Sequence, residues 1–153
     1  MYAWMQVVSP GSNATDHQYC NDRFSFCISY PDGFRKQLPE PENGDGARFL
    51  SKDKRAEIST FGSLATEPFD ELQEELKTAT EDIQVAYRVV RGNWFIISGF
   101  DKDRKVVYRK TVKKKITYFG TKDTEVFQTL EIRYPADQAK EYASYCGQVA
   151  RSL

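Results

Sequence analysis

The sequence predicts an α+β fold: a central antiparallel sheet of about six or seven strands, flanked by two main helices. Three observations lead there. Apolar and polar residues alternate with period two over several stretches separated by short turns rich in Gly, Pro, Asn and Asp, the pattern of hairpin-linked strands. Two other stretches carry apolar residues at spacings of three and four, one face of a helix. Those helical stretches do not alternate with every strand, so most strands are joined by short turns, and such strands run antiparallel.

Taken in order, Phe24, Phe26, Ile28 and Tyr30 alternate with Ser25, Cys27 and Ser29, and Pro31-Asp32-Gly33 turns the chain. Glu40 to Gly46 is a polar connector. Ala47 to Leu50 and Ala56 to Phe61 form a strand pair around the charged turn Lys52-Asp53-Lys54. Phe69, Leu72, Leu76, Ala79 and Ile83 then mark the first helix, with Pro68 in its first turn and Glu67, Asp70 and Glu71 at its positive end. Strands resume at Val85, Tyr87 and Val89. Gly92-Asn93 is a two-residue hairpin signal before Trp94 to Phe100. Asp101 to Arg104 is the next turn. Val106, Tyr108, Lys110 and Val112 continue a strand with a wet second face, and Val126, Leu130, Ile132 and Tyr134 mark the last. After Pro135, Ala139, Tyr142, Ala143, Cys146, Val149, Ala150 and Leu153 line one face of the second helix.

The chain has 153 residues, 40% hydrophobic and 29% charged, which suits one domain with a packed core. The reading divides it into an N-terminal tether or added segment over residues 1–18 and a single domain over 19–153. Lys plus Arg equals Asp plus Glu at 22 each, whereas a dedicated nucleic-acid binder is usually basic. No apolar run approaches the roughly 18 residues of a transmembrane segment. Met1 to Gln18 has no basic n-region and its apolar stretch is broken by Gln6 and Pro10, so it is not itself a signal peptide. The preferred reading is a periplasmic or secreted protein whose leader was removed and a new start added; a cytoplasmic protein is the alternative. Asn13-Ala14-Thr15 is a formal glycosylation sequon.

Cys20 and Cys27 enclose a short loop that closes into a disulfide if the chain bends, given an export context. A metal or redox pair and two reduced cysteines are the alternatives. Cys146, on the helical stripe, reads as a buried free thiol, with a Cys20–Cys146 bond as the other pairing.

Few residues point to chemistry. The single histidine, His17, falls in the tether without an orienting partner or pocket and is rejected as a base. Glu40, Glu42, Asn43 and Asp45 offer oxygens to a divalent cation, although their spacing matches no EF-hand. Glu67 to Asp82 carries seven acids against Lys77 alone, and Asp101 to Lys115 eight bases against two acids. These are solvated faces or, functionally, patches that steer a partner. Tyr108 and Tyr118 beside the basic run are candidate stacking platforms for nucleic acid, but no nucleic-acid module fits. Trp94, Phe95 and Phe100 read as core on a strand buried on both faces. The hydrolase, nucleotide-binding and zinc-protease motifs are absent from the sequence.

The runs 20–31 (Cys-Asn-Asp-Arg-Phe-Ser-Phe-Cys-Ile-Ser-Tyr-Pro), Asn43 to Phe49, Gly92 to Gly99, and Ile132-Arg133-Tyr134-Pro135 ahead of a helix resemble Mog/PsbP-like proteins of bacteria. The resemblance spans roughly residues 20–153, a whole domain, and rests on turns and core strands. It implies a central antiparallel sheet flanked by helices, and function through binding other proteins; members bind photosystem subunits, a small GTPase or secretion-system effectors. The expectation is a non-catalytic protein-binding domain of an exported bacterial protein. In its specific form it is an immunity protein whose partner is a toxin or effector, with no cofactor and no nucleic acid. A small-ligand or divalent-metal-binding accessory protein using the Glu40–Gly46 loop is the alternative, and a hydrolase comes third.

Overall fold

The computed structural model describes residues 17–153. The tether expected over residues 1–18, and the Asn13 sequon within it, fall outside the described residues up to position 16. His17 and Gln18 already belong to a strand.

Among the described residues nine strands and two α-helices follow in the order β1 (His17–Asn21), β2 (Phe26–Tyr30), β3 (Arg35–Lys36), β4 (Gly46–Leu50), β5 (Glu57–Leu64), α1 (Leu72–Thr80), β6 (Gln84–Arg91), β7 (Trp94–Phe100), β8 (Val106–Tyr118), β9 (Thr121–Tyr134) and α2 (Ala139–Arg151). Seven strands make one antiparallel sheet in the order β3-β4-β5-β9-β8-β7-β6. The strands β1 and β2 form a separate hairpin.

The alternation along each strand sorts the sheet into two faces. On one, Phe49, Ile58, Val126, Leu130 and Ile132 meet Phe24, Phe26 and Ile28 of the β1–β2 hairpin and Tyr142, Tyr145, Cys146 and Val149 of α2. Phe24 lies directly on the backbone of Gly62; a Cβ there would stand 2.2 Å from its ring, so only glycine lets the hairpin dock. Lys110 reaches from β8 to the end of α2, where Nζ donates to the carbonyls of Ala150 (2.9 Å) and Ser152 (2.5 Å). Those are the orphan acceptors of a helix C-terminus, where positive charge is favoured.

The opposite face is covered at one end by α1, whose Leu76 packs on Phe95 and Ile97 of β7. The helix begins at Leu72, later than the apolar spacing suggests. Phe69 lies in the preceding turn, its amide bonded to Thr66 O (2.7 Å), and is 66% exposed; Pro68 also lies outside the helix. At its middle β7 is buried on both faces, Phe95 and Ile97 on the α1 side and Ile96 on the other. At its ends Trp94 is half-buried and Phe100 is 41% exposed, so the expected burial on both faces holds for the centre of the strand and not for its ends.

Candidate functional site: a furrow along the C-terminal helix

Three segments far apart in sequence converge beside α2: the turn Pro31 to Phe34, the turn Ser51 to Asp53, and the flank of α2 at Glu141, Tyr142, Tyr145 and Gln148. They enclose an open hollow of about 350 Å³. A second hollow of about 400 Å³ shares Tyr145 and Gln148 and runs on past Cys27 and Ser29 to Arg151 and Leu153. Together they form a furrow between the β1–β2 hairpin and α2.

Its floor is aromatic. The rings of Phe34 and Tyr142 meet edge to face at 5.8 Å, and Tyr145 Oη donates to Ser29 O (2.6 Å), tying helix to hairpin. Burial pushes the Tyr142 phenol up to about 12, with the nearby Glu141 carboxylate adding to the shift, so the floor is uncharged at neutral pH.

Its rim is acidic. Asp53 accepts hydrogen bonds from Ser51 Oγ (2.7 Å), Arg55 N (3.0 Å) and Gln138 Nε2 (2.7 Å). These bonds, the Ser51 hydroxyl foremost, bring its pKa down to about 2. Asp32 accepts from His17 Nε2 (3.0 Å), and that bond holds its carboxyl below the usual range. Glu141 is the third carboxylate, and Lys52 is the one cation among the lining residues of the first hollow. Among the described residues none of the three acids is paired with Lys or Arg.

The other sequence-derived candidates are dispersed. His17, read as partnerless, does have a carboxylate at 3.0 Å and stacks on Tyr30 at 5.3 Å, yet both members of the pair are exposed. In the Glu40–Gly46 loop, Glu40 bonds Lys36 (3.2 Å) and Asp45 bonds Asn43 (3.2 Å). The carbonyls of Asn43 and Gly44 are occupied by Arg23 and by Asn21 Nδ2. The loop is thus stapled by side-chain donors, and its oxygens do not converge. No cluster of three or more His, Cys, Asp or Glu is gathered among the described residues. Cys20 and Cys27 face each other across β1 and β2 with Cα atoms 4.0 Å apart and sulfurs joined, while Cys146 is free and buried, 3.6 Å from Tyr134 Oη.

The basic run does not form one patch, because a strand sends successive side chains to opposite faces. Arg109 turns to α1 and pairs with Glu75 (2.9 Å), Lys110 goes to α2, and Lys113 lies 3.8 Å from Glu125. Tyr118 is occupied by Arg23, whose Nε and Nη2 both donate to its hydroxyl (2.9 and 2.7 Å). Beyond it, Phe119 at the tip of the β8–β9 hairpin is 79% exposed with φ +45°. A bulky residue in this left-handed region is strained, so the tip holds an aromatic side chain out at some cost in stability.

The scan of the sequence against protein-family models finds no match, and neither does the comparison with curated proteins. The fold supplies the classification instead. A central antiparallel sheet with a terminal helix and an N-terminal hairpin on one face and a short helix on the other is a PsbP-like α+β fold. The solved structure that shows this is cyanobacterial PsbP (CyanoP) from Synechocystis sp. PCC 6803. The two share 14% identity and superpose with a TM-score of 0.61 over 97% of this chain and 96% of that one. At that identity the likeness is one of fold. No helix among the described residues is long and apolar enough to cross a membrane.

Proposed function

We propose that this chain is a non-catalytic accessory protein of an exported bacterial type, which binds another protein by gripping a basic segment of it in the furrow along α2. The observation that carries this is the pairing of an aromatic floor with three carboxylates, none of which forms a salt bridge to a Lys or Arg among the described residues. A lysine or arginine side chain fits both, its stem against the rings and its charge at the rim. Two hollows adjoining at Tyr145 and Gln148 suit an extended segment better than a compact small molecule. The PsbP-like fold is consistent with an accessory role. The immunity function is the narrow form of this reading: the segment then belongs to a toxin or effector that the chain occludes, and growth rescue by co-expression with that toxin is its expected signature.

Screening the chain against an array of basic and acidic peptides tests the reading. Basic peptides are expected to bind more weakly as salt rises. The double variant Asp32→Lys, Glu141→Lys, which changes two surface charges, is expected to lose on the order of tenfold in affinity. Equal retention of acidic and basic peptides, or a variant that binds undiminished, overturns it.

Export is part of the same proposal, supported by the facing of Cys20 and Cys27, since disulfides persist in oxidising compartments. Titration of the unfolded, unreduced protein purified from its own compartment is expected to find one thiol, that of Cys146. Three thiols would place the chain in a reducing compartment.

A further inference from the structure

We propose that the basic segment held in the furrow is bound as an added strand, its main chain pairing with the outer edge of β2 at Cys27 and Ser29. This rests on the furrow reading given above. It adds main-chain hydrogen bonds to the charge and the rings as the means of holding the segment.

The register of the β1–β2 hairpin decides which backbone groups face the furrow. In an antiparallel pair, opposed residues alternate between wide pairs that bond each other and close pairs whose N–H and C=O groups point away from the partner strand. Cys20 and Cys27 are opposed, with Cα atoms 4.0 Å apart, which makes them a close pair. Tyr19 with Ile28 is then a bonded pair, and Gln18 with Ser29 is a close one again. The amides and carbonyls of Cys27 and Ser29 therefore point out of β2 on the side away from β1. Tyr145 agrees with this assignment, because from α2 its hydroxyl donates to Ser29 O (2.6 Å). The strand β2 has β1 as its one ladder neighbour among the described residues. Within them no hydrogen bond uses Cys27 N, Cys27 O or Ser29 N on the outer side.

An unpaired edge is a template for another strand, and a helix laid against it is one way to close it. Here α2 runs beside β2 and leaves a hollow of about 400 Å³ between them, lined by Cys27, Ile28 and Ser29 on one wall and by Gln148 and Arg151 on the other. Gln148 Oε1 is buried and has no hydrogen-bond partner among the described residues. Both walls of the hollow thus carry unused hydrogen-bonding groups, as an inserted strand requires, since its own amides and carbonyls point alternately to its two sides.

The same geometry selects the occupant. The helix stands where the next strand of a sheet would run, so the edge strand of a folded sheet, a second copy of this chain included, cannot enter. A single extended segment can. The next residue of this chain that would face outward is Pro31, which has no N–H to give. Pairing therefore ends at Ser29, and the segment continues into the first hollow, among Phe34, Tyr142 and the carboxylates of Asp32, Asp53 and Glu141. Main-chain bonds hold it whatever its sequence, and the acidic hollow selects Lys or Arg.

Hydrogen exchange of the full chain, read by NMR, is the test. The probe is a capped peptide of alternating Lys and Thr, and its Glu and Thr counterpart is the control. In the free protein the Cys27 and Ser29 amides are expected to exchange faster than that of Ile28, which bonds Tyr19. Saturation with the Lys peptide is expected to slow Cys27 and Ser29 at least about tenfold, and more than Ile28. Ser29→Pro removes an N–H that the hairpin ladder does not use. It is expected to keep the circular dichroism of the wild type and to weaken the Lys peptide about tenfold. A Lys peptide that binds while Cys27 and Ser29 exchange as before, or a folded Ser29→Pro chain that binds it undiminished, overturns the strand pairing and leaves the furrow reading standing. A Lys peptide that binds no better than the Glu peptide overturns both.

Discussion

Replacing Arg109 by alanine is expected to lower the unfolding free energy by about 3–5 kcal/mol, the cost of stripping one partner from a buried charge network. Arg109 stands mid-strand on β8 and is only 9% exposed. Its guanidinium lies between the rings of Phe61 (5.6 Å) and Phe95 (6.0 Å), donates to Glu75 Oε2 of α1 (2.9 Å) and to Thr111 Oγ1 (3.1 Å), and sits opposite Glu131 in the β8–β9 register. Burial pulls its pKa down, and Glu131 and Glu75 pull it back; an arginine stays charged against such a pull. Without the cation, Glu131 at 8% exposure keeps Arg133 (2.8 Å) on one side only, and Glu75 has nothing to hold.

The second consequence falls on α1. It has nine residues and no side-chain cap at its N-terminus, too short to persist alone, so the Arg109–Glu75 bond and the Leu76 contacts must pin it. Urea denaturation gives the stability change. Hydrogen exchange of the α1 amides is expected to accelerate more than that of β9, and a double-mutant cycle with Glu75→Ala is expected to show coupling of about 1–3 kcal/mol. A loss under about 1 kcal/mol would mean that the guanidinium is dispensable.

Whether a feature was legible in the sequence depended on how local its cause is. The hairpin at Gly92-Asn93, the alternation of β2 and the stripe of α2 are set by neighbours a few residues apart, and each lies where the pattern puts it. The strand β1 left no such signal. Its inward-facing residues are Tyr19 and the buried Asn21, which bonds Gly44 O (2.9 Å) and Phe24 N (2.8 Å), and a polar residue on the inner face breaks the alternation. The start of α1 is masked in the sequence because Phe69 continues the helical spacing, although its side chain is 66% exposed. The basic run read as one patch only because a linear sequence hides which face each residue takes. In the sequence Arg109 is one base among eight, and its neighbours Glu75 and Glu131 come from α1 and β9, so no spacing announces that meeting. The furrow is hidden for the same reason: its rim acids Asp32, Asp53 and Glu141 belong to three segments that only the folded sheet assembles.

Phe49→Ala is the other substitution expected to cost about 3–5 kcal/mol, by transfer and cavity terms together. The side chain on β4 is completely buried, with the Tyr30 ring at 4.3 Å and the Tyr19 ring at 5.8 Å. Its importance comes from what those rings belong to. The β1–β2 hairpin shares no ladder with the main sheet, and a two-stranded hairpin is marginal by itself. Packing on Phe49 and Gly62 therefore has to hold it, together with polar ties at Asn21 (to Gly44 O, 2.9 Å), Arg23 (to Tyr118 and to Asn43 O), Gln128 Nε2 to Phe24 O (2.8 Å) and Tyr145 Oη to Ser29 O (2.6 Å). Removing the Phe49 ring is expected to release the hairpin before the sheet melts. Exchange of the β1 and β2 amides should then rise at denaturant concentrations where β8 and β9 remain protected. Because the hairpin is one wall of the furrow, peptide binding should fail over the same range. Phe49→Leu, which keeps most of the volume, should retain both. Uniform acceleration across all strands in Phe49→Ala would show instead that the hairpin and sheet unfold as one unit, and that Phe49 supports the core without specifically holding the hairpin to it.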